Sequence, residues 1–382
     1  MMSLIKRRQL FMTVHRYMGL TTLVFLIIAA ATGCLLCFEQ SIDGWLNPRL
    51  SRPTAAGAIA PAQAVTAFEH AHPDIIATYF PVRPTLGRNI LATVEARPGL
   101  PKLAYDQIFL DGGDGHLTGT RQDRPQWDAE HFTRAVYVLH CQLLMGVPGR
   151  WIMGAAALIW LLGNVVGVYI TLPFKGPYLR YWRRAWQFRL SSSLRQTALD
   201  LHRVCGLWLI LPLCLLAFTS LAMSFYDEAL VPAVQMLSPP RPSPFDQPTK
   251  HMNALPPTAF ATLLAQAERN RADIPPGWQP AVIQQEPARG LVGVRFTRSG
   301  YEEYTGLGPV TEWFDQAGRL VYIDDPYHDS LGLALERSLF PLHTGQMIGM
   351  AGIGLDLLLG IVTALHGVSG LYLWLIRHRR RR

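Results

Sequence analysis

The chain has 382 residues and a formal net charge of +8, and 49% of its residues are hydrophobic. All but two of its 27 acidic residues lie in two blocks, 39–133 and 227–336. These blocks alternate with long apolar runs, which excludes a single soluble domain. The basic excess flanks the apolar runs, so it indicates membrane borders and argues against a nucleic-acid-binding protein.

The first apolar run predicts a transmembrane helix over residues 9–38. At a rise of about 1.5 Å per residue, it is long enough to cross a hydrocarbon core of roughly 30 Å. Lys6, Arg7 and Arg8 precede it. His15 is therefore expected about two turns inside this basic border.

The first acidic segment, residues 39–131, is expected to form a small α+β domain. Pro61 favours the start of a short helix, and apolar runs bounded by turn residues predict three antiparallel strands. The strands are expected at 75–80, 89–96 and 107–110, and an Asp111-Gly112 turn closes the last of them.

A second helical region is predicted over residues 132–172. Pro148-Gly149-Arg150 interrupts it, because proline lacks the N–H that a helix interior requires. The membrane part is therefore about 151–172, and His140 is expected above the span or at its outer interface. A basic cytoplasmic loop, residues 173–195, follows.

The second half of the chain repeats this order. A transmembrane helix at 196–226, expected to kink at Pro212, leads into a second small α+β domain at 227–337. A fourth long helix at 338–376 and a basic tail at 377–382 complete the chain. We therefore expect an α-helical integral membrane protein with four long transmembrane helices, as a tandem repeat of helix, external domain and helix.

Basic segments indicate the orientation of this protein. Lysine and arginine in short flanks stay on the cytoplasmic side of a membrane. They crowd both termini and the 173–195 loop, which contains no acidic residue. Both termini and this loop are therefore expected inside, and the two acidic domains outside.

Short motifs recur at equivalent places in the two halves. His15-Arg16 and His202-Arg203 each precede a Gly-Leu pair and an apolar run, while His140 and His343 each follow a leucine and precede a glycine. Both halves enter the membrane from the same side, which predicts a parallel repeat about an axis normal to the membrane. Equivalent residues should face each other across that axis.

The four repeated histidines therefore predict two facing pairs. The first pair is His15 with His202, near the cytoplasmic side, and the second pair is His140 with His343, near the outer side. Two imidazoles on opposed helices are what a six-coordinate haem b requires, without covalent attachment. Zinc or copper is an alternative, but two histidines without a carboxylate or thiolate leave its ligand shell incomplete. We predict two b-type haems, with room for the flat macrocycles beside four glycines: Gly19, Gly206, Gly146 and Gly349.

A third histidine, His366, is an alternative ligand for the haem at the first pair. His366 lies at a comparable depth, about three turns inside the basic end of the fourth helix. The haem there is expected to bind either the symmetric pair or a pair that includes His366. Arg16 and Arg203 are placed to meet haem propionates at this face, or equally to anchor lipid phosphate groups.

These motifs resemble those of the PepSY-associated transmembrane family of bacteria, whose members are often called iron-regulated membrane proteins. The duplicated His-Arg-x-x-Gly-Leu helices carry the resemblance, which covers essentially the whole chain. It implies two PepSY-like periplasmic domains, two b haems and a location in the bacterial inner membrane. Within the family, the chain is similar to inner-membrane reductases of ferric siderophores of the ferrioxamine type.

That similarity implies outward electron transfer and release of siderophore iron as Fe(II) in the periplasm. Hydroxamate oxygens are hard donors that hold Fe(III) far better than Fe(II), so one-electron reduction weakens the chelate. The external domains would hold the ferric siderophore, and four residues at their entrances are candidates for contacting it: Tyr137, Trp127, Tyr327 and His328.

The sequence does not indicate the electron donor. No Gly-x-Gly-x-x-Gly motif follows a strand, so we expect a cytoplasmic partner or the quinol pool to supply electrons. Two other functions fit the pattern. One is a non-redox siderophore or metal transporter whose histidines relay protons, and the other is a membrane-anchored regulator whose external domains bind a ligand.

Overall fold

The computed structural model describes residues 4–173, 176–189, 193–238, 242–246, 259–269 and 273–379. Parts of the predicted basic loop, of the second external domain and of the basic tail lie outside the described residues. The described chain forms two compact units. The helical unit contains the chain up to Phe38, Ala135–Ala233 and the chain from Ser338 onward; the strand unit contains Glu39–Arg134 and Val234–Arg337.

Three helices of the helical unit are long and apolar enough to cross a membrane. They are Ile5–Leu36, Val147–Thr171 and Met350–Arg379. Their surfaces carry large apolar side chains such as Val24 and Val165, which a bilayer would cover. The chain is therefore a membrane protein. Its described part offers three such spans, or four if the bent pair of helices that follows is counted as one.

The third predicted transmembrane helix is broken. The sequence predicts one kinked helix over 196–226, whereas Leu194–Trp208 and Ile210–Ser224 meet at an angle of 76°. Pro212 has no N–H to bond the carbonyl of Trp208, and its ring crowds that carbonyl. The helix therefore restarts at Ile210, with Pro212 in its first turn.

The second helical region is interrupted, as the sequence predicts, but at residues 143–146, whereas Pro148-Gly149-Arg150 lies inside the second helix. Phe132–Gln142 is separated from Val147–Thr171 by a short connection. Leu143 and Leu144 there adopt positive φ angles of 51° and 58°. Pro148 then occupies the first turn of the second helix, where its missing N–H leaves no bond unmade.

The fourth helical region contains a break that the sequence analysis did not predict. Leu331–His343 ends before a 3-10 turn at Gln346–Ile348, and Met350–Arg379 follows. The prediction of one continuous helix over 338–376 is therefore wrong. Gly349 has φ 65° and ψ −144°, and its repeat equivalent Gly146 has φ 66° and ψ −142°. These angles are essentially reserved for glycine, so the repeat includes the two breaks.

Packing between the long helices forms the core of the helical unit. The first helix, Leu4–Leu36, contacts both Val147–Thr171 and Met350–Arg379. Val147–Thr171 also packs along Ile210–Ser224. Helices from both halves of the sequence are thereby brought side by side.

Eight strands form the sheet of the strand unit. The first acidic segment supplies β1 (Ile75–Pro81), β2 (Ile90–Ala96), β3 (Gln107–Leu110) and β4 (Leu117–Arg121). The second supplies β5 (Gln279–Glu286), β6 (Leu291–Thr297), β7 (Val310–Phe314) and β8 (Leu320–Asp324). The strand order is β4-β3-β2-β1-β5-β6-β7-β8, and all neighbours are antiparallel.

The two halves of the strand unit share one sheet, whereas the sequence predicts two small domains. They join where β1 pairs with β5, with Phe80 opposite Ile283. Each half also contributes one helix that packs against the strands. These helices are Pro61–Ala71 and Ala259–Arg269. Phe80 stacks edge-on against Phe260 at 5.2 Å between ring centres, so the hydrophobic core also joins the halves.

Shorter helices connect these elements. In the strand unit they are Glu39–Leu46, Pro48–Ser51 and, at its border, Val231–Leu237; in the helical unit, Tyr178–Trp182 lies within the basic loop.

Candidate functional site

The four repeated histidines all belong to the helical unit. His15 lies on the first helix, and His202 lies on a π-helical turn, Leu201–Cys205. Such turns occur frequently at functional sites. His140 stands in the last turn of Phe132–Gln142, and His343 is the last residue of its helix. Both are therefore held just before the glycine breaks.

The structure brings the histidines together in the combinations that the repeat predicts. The ring centres of His15 and His202 are 6.1 Å apart, with the ring planes at 82°. The ring centres of His140 and His343 are also 6.1 Å apart, with the planes at 61°. The two pairs are thus equal in spacing, although their helices differ in shape.

Each ring of the second pair has a threonine hydroxyl at Nδ1. Thr32 Oγ1 lies 2.9 Å from Nδ1 of His140, and Thr219 Oγ1 lies 3.1 Å from Nδ1 of His343. Thr32 is 6% exposed and Thr219 is 0% exposed. Neither threonine is predicted from the sequence as a site residue. The available signal was their common position in the repeat, because each follows the first histidine of its half by 17 residues.

The rings of the first pair also have an acceptor at Nδ1. His15 donates from Nδ1 to the carbonyl of Gly163 at 3.1 Å. Nδ1 of His202 lies 3.1 Å from Oγ of Ser369, whose hydroxyl donates to the carbonyl of His366 at 3.2 Å. Since that hydroxyl proton is already used, the serine oxygen accepts from His202. The first pair therefore carries its protons on Nδ1.

Glycines allow the rings to lie against neighbouring helices. A Cβ on Gly167 would come 3.2 Å from Cε1 of His15, and one on its repeat equivalent Gly370 would come 3.5 Å from Cε1 of His202. A Cβ on Gly33 would come 3.2 Å from Cε1 of His140. A larger residue at any of these positions would press on an imidazole.

The four glycines singled out in the sequence fall into two groups. A Cβ on Gly19, Gly146 or Gly349 would meet no described atom within 4 Å, so open space lies beside them. A Cβ on Gly206 would come 3.4 Å from the ring of His366. Open space at three of the four is compatible with a flat ligand on the neighbouring turns.

His366 makes a third imidazole beside the first pair. Its ring centre is 5.0 Å from that of His202, with the planes at 52°. Its Nε2 is buried and has no hydrogen-bond partner among the described residues. An unpaired buried nitrogen is costly unless something binds it.

The two arginine candidates differ in their surroundings. Arg203 donates to Asp200 at 2.6 Å, and Asp200 is only 1% exposed. Gln196 also donates to that carboxylate, at 2.9 Å. A propionate or phosphate at Arg203 would therefore share the guanidinium with Asp200. Arg16 is half-buried on the first helix.

The proposed siderophore contacts do not all belong to one unit. Tyr137 lies in the helical unit, whereas Trp127, Tyr327 and His328 lie in the strand unit. Tyr327 donates to the carbonyl of Gly308 at 3.3 Å, and His328 pairs with Asp325 at 2.6 Å. Trp127 is 60% exposed. Their role in contacting a substrate stays a prediction.

The ring spacing of both pairs is close to the spacing that a six-coordinate haem iron requires. Two opposed metal–nitrogen bonds of about 2 Å, plus the distance from each ring nitrogen to its ring centre, give a ring separation of about 6 Å. Both repeat-related pairs have this spacing, and the His202–His366 pair is about 1 Å too close. The donor set is imidazole alone, which suits haem b.

The chain matches a known protein family. The family model described as the PepSY-associated TM region matches residues 12–377. A search of curated proteins finds no match.

Proposed function

Because the chain belongs to the PepSY-associated transmembrane family, we propose that this membrane protein binds two b-type haems and uses them to reduce ferric siderophores. We further propose that it resides in the bacterial inner membrane. In this arrangement both termini lie in the cytoplasm, and the two acidic segments lie in the periplasm.

The equal spacing of the two histidine pairs supports this proposal most strongly. Each pair has its ring centres 6.1 Å apart, and each ring of the pairs has an acceptor at Nδ1. In the neutral rings the lone pair is then on Nε2. Histidines that bind metals characteristically use their second nitrogen in this way.

The spacing of the rings also favours one pair of ligands for the first haem. We propose His15 and His202 as its ligands, because the ring centres of His202 and His366 are only 5.0 Å apart. His366 then lies beside the bound pair as a third imidazole. It remains the alternative ligand if the rings move on binding.

The residues of the chain would hold and orient the cofactors. Nε2 of His15, His202, His140 and His343 would bind iron, and the acceptors at Nδ1 would keep the rings from turning. A haem bound at each pair supplies one-electron exchange between Fe(III) and Fe(II). Arg16 and Arg203 are the candidates for pairing with propionates.

The proposed electron acceptor is a ferric hydroxamate siderophore of the ferrioxamine type. One electron converts its Fe(III) to Fe(II), which hard hydroxamate oxygens hold weakly. The iron can then leave without cleavage of any covalent bond of the siderophore. The electron would come from a cytoplasmic partner or from the quinol pool.

Proteoliposomes test this function. The reconstituted protein is reduced, freed of reductant and mixed with ferrioxamine and an impermeant Fe(II) chelator outside. We expect oxidation of the haems and appearance of the external Fe(II) complex. The gallium(III) form of the siderophore is the matched control, because it accepts no electron. Haem that stays reduced with several ferric chelates would contradict the proposed substrate class.

A further inference from the structure

Two buried threonines occupy equivalent positions in the repeat. Thr32 follows His15, and Thr219 follows His202, by the same 17 residues. Each threonine contacts the second histidine of its own half through Nδ1, at 2.9 Å and 3.1 Å. The contact therefore occurs twice, once on the continuous helix Leu4–Leu36 and once on Ile210–Ser224, which follows a 76° bend.

The hydroxyl protons of these threonines are already used. Thr32 donates to the carbonyl of Ile28 at 2.6 Å, and Thr219 donates to the carbonyl of Leu215 at 3.0 Å. A hydroxyl has only one proton to donate, so a threonine that gives it to its own helix offers an oxygen lone pair to the imidazole. This arrangement suits the tautomers of His140 and His343 that are protonated on Nδ1.

Burial makes this arrangement hard to replace. Thr32 is 6% exposed and Thr219 is 0% exposed. Water is therefore poorly placed to substitute for the lost oxygen if either hydroxyl is removed. The imidazole of the facing histidine would then lose its hydroxyl acceptor, although His140 also has a backbone hydrogen bond with Ala29.

We propose that Thr32 and Thr219 are positioning residues that set the reduction potential of the haem between His140 and His343. The inference rests on the proposed function. An acceptor at Nδ1 makes the ligating nitrogen more basic. A more basic nitrogen stabilises Fe(III) over Fe(II), so the threonines lower the potential of that haem and leave the other haem unaffected.

The test uses the full-length, haem-loaded protein and a spectroelectrochemical titration of both haems. Thr32→Val and Thr219→Val keep the side-chain shape and remove the acceptor. Thr32→Ser and Thr219→Ser restore it. Thr22→Val is the matched control, because Thr22 is 2% exposed on the same helix as Thr32 and donates to its own helix, at Met18.

We expect each valine variant to raise the potential of the same haem, and each serine variant to restore it. Loss of such ligand partners typically weakens metal binding by about 10- to 100-fold. If Fe(III) binding weakens tenfold more than Fe(II) binding, the potential rises by about 59 mV for one electron. Loss of that one haem from a valine variant, reversed by serine, is the same effect in a stronger form.

Three results would overturn the inference: shifts no larger than that of Thr22→Val, shifts that serine does not reverse, or shifts in different haems for the two valine variants. Wild-type protein that binds no haem would refute the proposed function, and the inference with it. Wild-type protein with two haems and unshifted valine variants would refute the inference alone.

Discussion

At the scale of single residues, the position of one proton decides what each histidine can bind. The acceptors at Nδ1 are one carbonyl, of Gly163, and three hydroxyls, of Thr32, Ser369 and Thr219. The repeat predicts which histidines pair, because equivalent residues of the two halves lie opposite each other in the helical unit. It does not predict these acceptors, because the helix that will face a given ring is a matter of tertiary packing.

The second pair gives the clearest prediction from substitution. His140→Ala or His343→Ala removes one of the two opposed imidazoles of that pair, so each variant should bind one haem fewer and keep the other. Pyridine haemochrome analysis of the purified variants measures the haem content per chain. Retention of both haems in either variant would refute the pairing.

The third imidazole gives a separate prediction. His366→Ala should retain both haems, since the 6.1 Å spacing of His15 and His202 fits a haem iron and the 5.0 Å spacing of His202 and His366 does not. His15→Ala should lose the first haem. The reverse result, with His15 dispensable and His366 required, would show that His366 is the ligand.

At the scale of elements, two glycines stand in the same way before the helices that follow the histidine-bearing ones, Gly146 before Val147–Thr171 and Gly349 before Met350–Arg379. Gly146 and Gly349 have nearly identical backbone angles, so the connections after His140 and His343 end in the same backbone conformation. Pro148 makes the first break predictable. The proline nearest the second break, Pro341, lies inside the preceding helix and does not mark the break, and glycine alone is a weak signal within an apolar run.

Alanine at either break should destabilise the helical unit. Gly349→Ala or Gly146→Ala forces a side chain into backbone angles that cost about 1–3 kcal/mol. Thermal unfolding in detergent should show a lower midpoint for both variants. Gly354→Ala is the control, because Gly354 is inside a helix and a Cβ there meets no described atom within 4 Å. An equal loss in all three variants would contradict the role of the backbone angles.

In the strand unit, the turn after β3 depends on one carboxylate. Burial disfavours ionisation of Asp111, but hydrogen bonds from Thr54, Gly113 and Ala55 outweigh it and lower its pKa to about 2. The sequence predicts this turn from Asp111-Gly112. It does not predict that Thr54 and Ala55 lie beside this turn and hydrogen-bond to Asp111.

Acid should therefore loosen this turn. A carboxyl with a lowered pKa stabilises the fold above its unfolded pKa of about 3.9 and loses that effect as the pH falls towards 2. Hydrogen exchange of β3, corrected for the intrinsic rate, should accelerate over this range in the wild type. Asp111→Ala should exchange fast even at neutral pH, whereas Asp114→Ala, at an exposed position of the same turn, should behave as wild type. Equal exchange in both variants would contradict this account.

At the scale of the whole molecule, the sequence repeat leads to two different outcomes. In the helical unit, equivalent residues face each other in pairs. In the strand unit, the two copies pair edge to edge. The backbones of β1 and β5 hydrogen-bond to each other, which joins the copies in one sheet. The sequence predicts strands in both acidic segments but not this junction, because edge pairing leaves no periodic signal in either strand.

The shared core predicts that the two halves of the strand unit unfold together. Phe80 is fully buried and packs on Phe260 from the other half. Phe80→Ala should cost about 3–5 kcal/mol and accelerate hydrogen exchange in both β2 and β6. Leu91→Ala, at a residue 40% exposed on β2, should change neither strand much. Faster exchange confined to β2 would mean that the halves are independent.

The central claim concerns what the two histidine pairs hold. Full-length protein purified from haem-replete cells should be red, contain close to two b haems per chain and give split b-type bands on reduction with dithionite. A colourless preparation from such cells would contradict the claim. It would favour instead a transporter or a membrane-anchored regulator whose histidines bind no porphyrin.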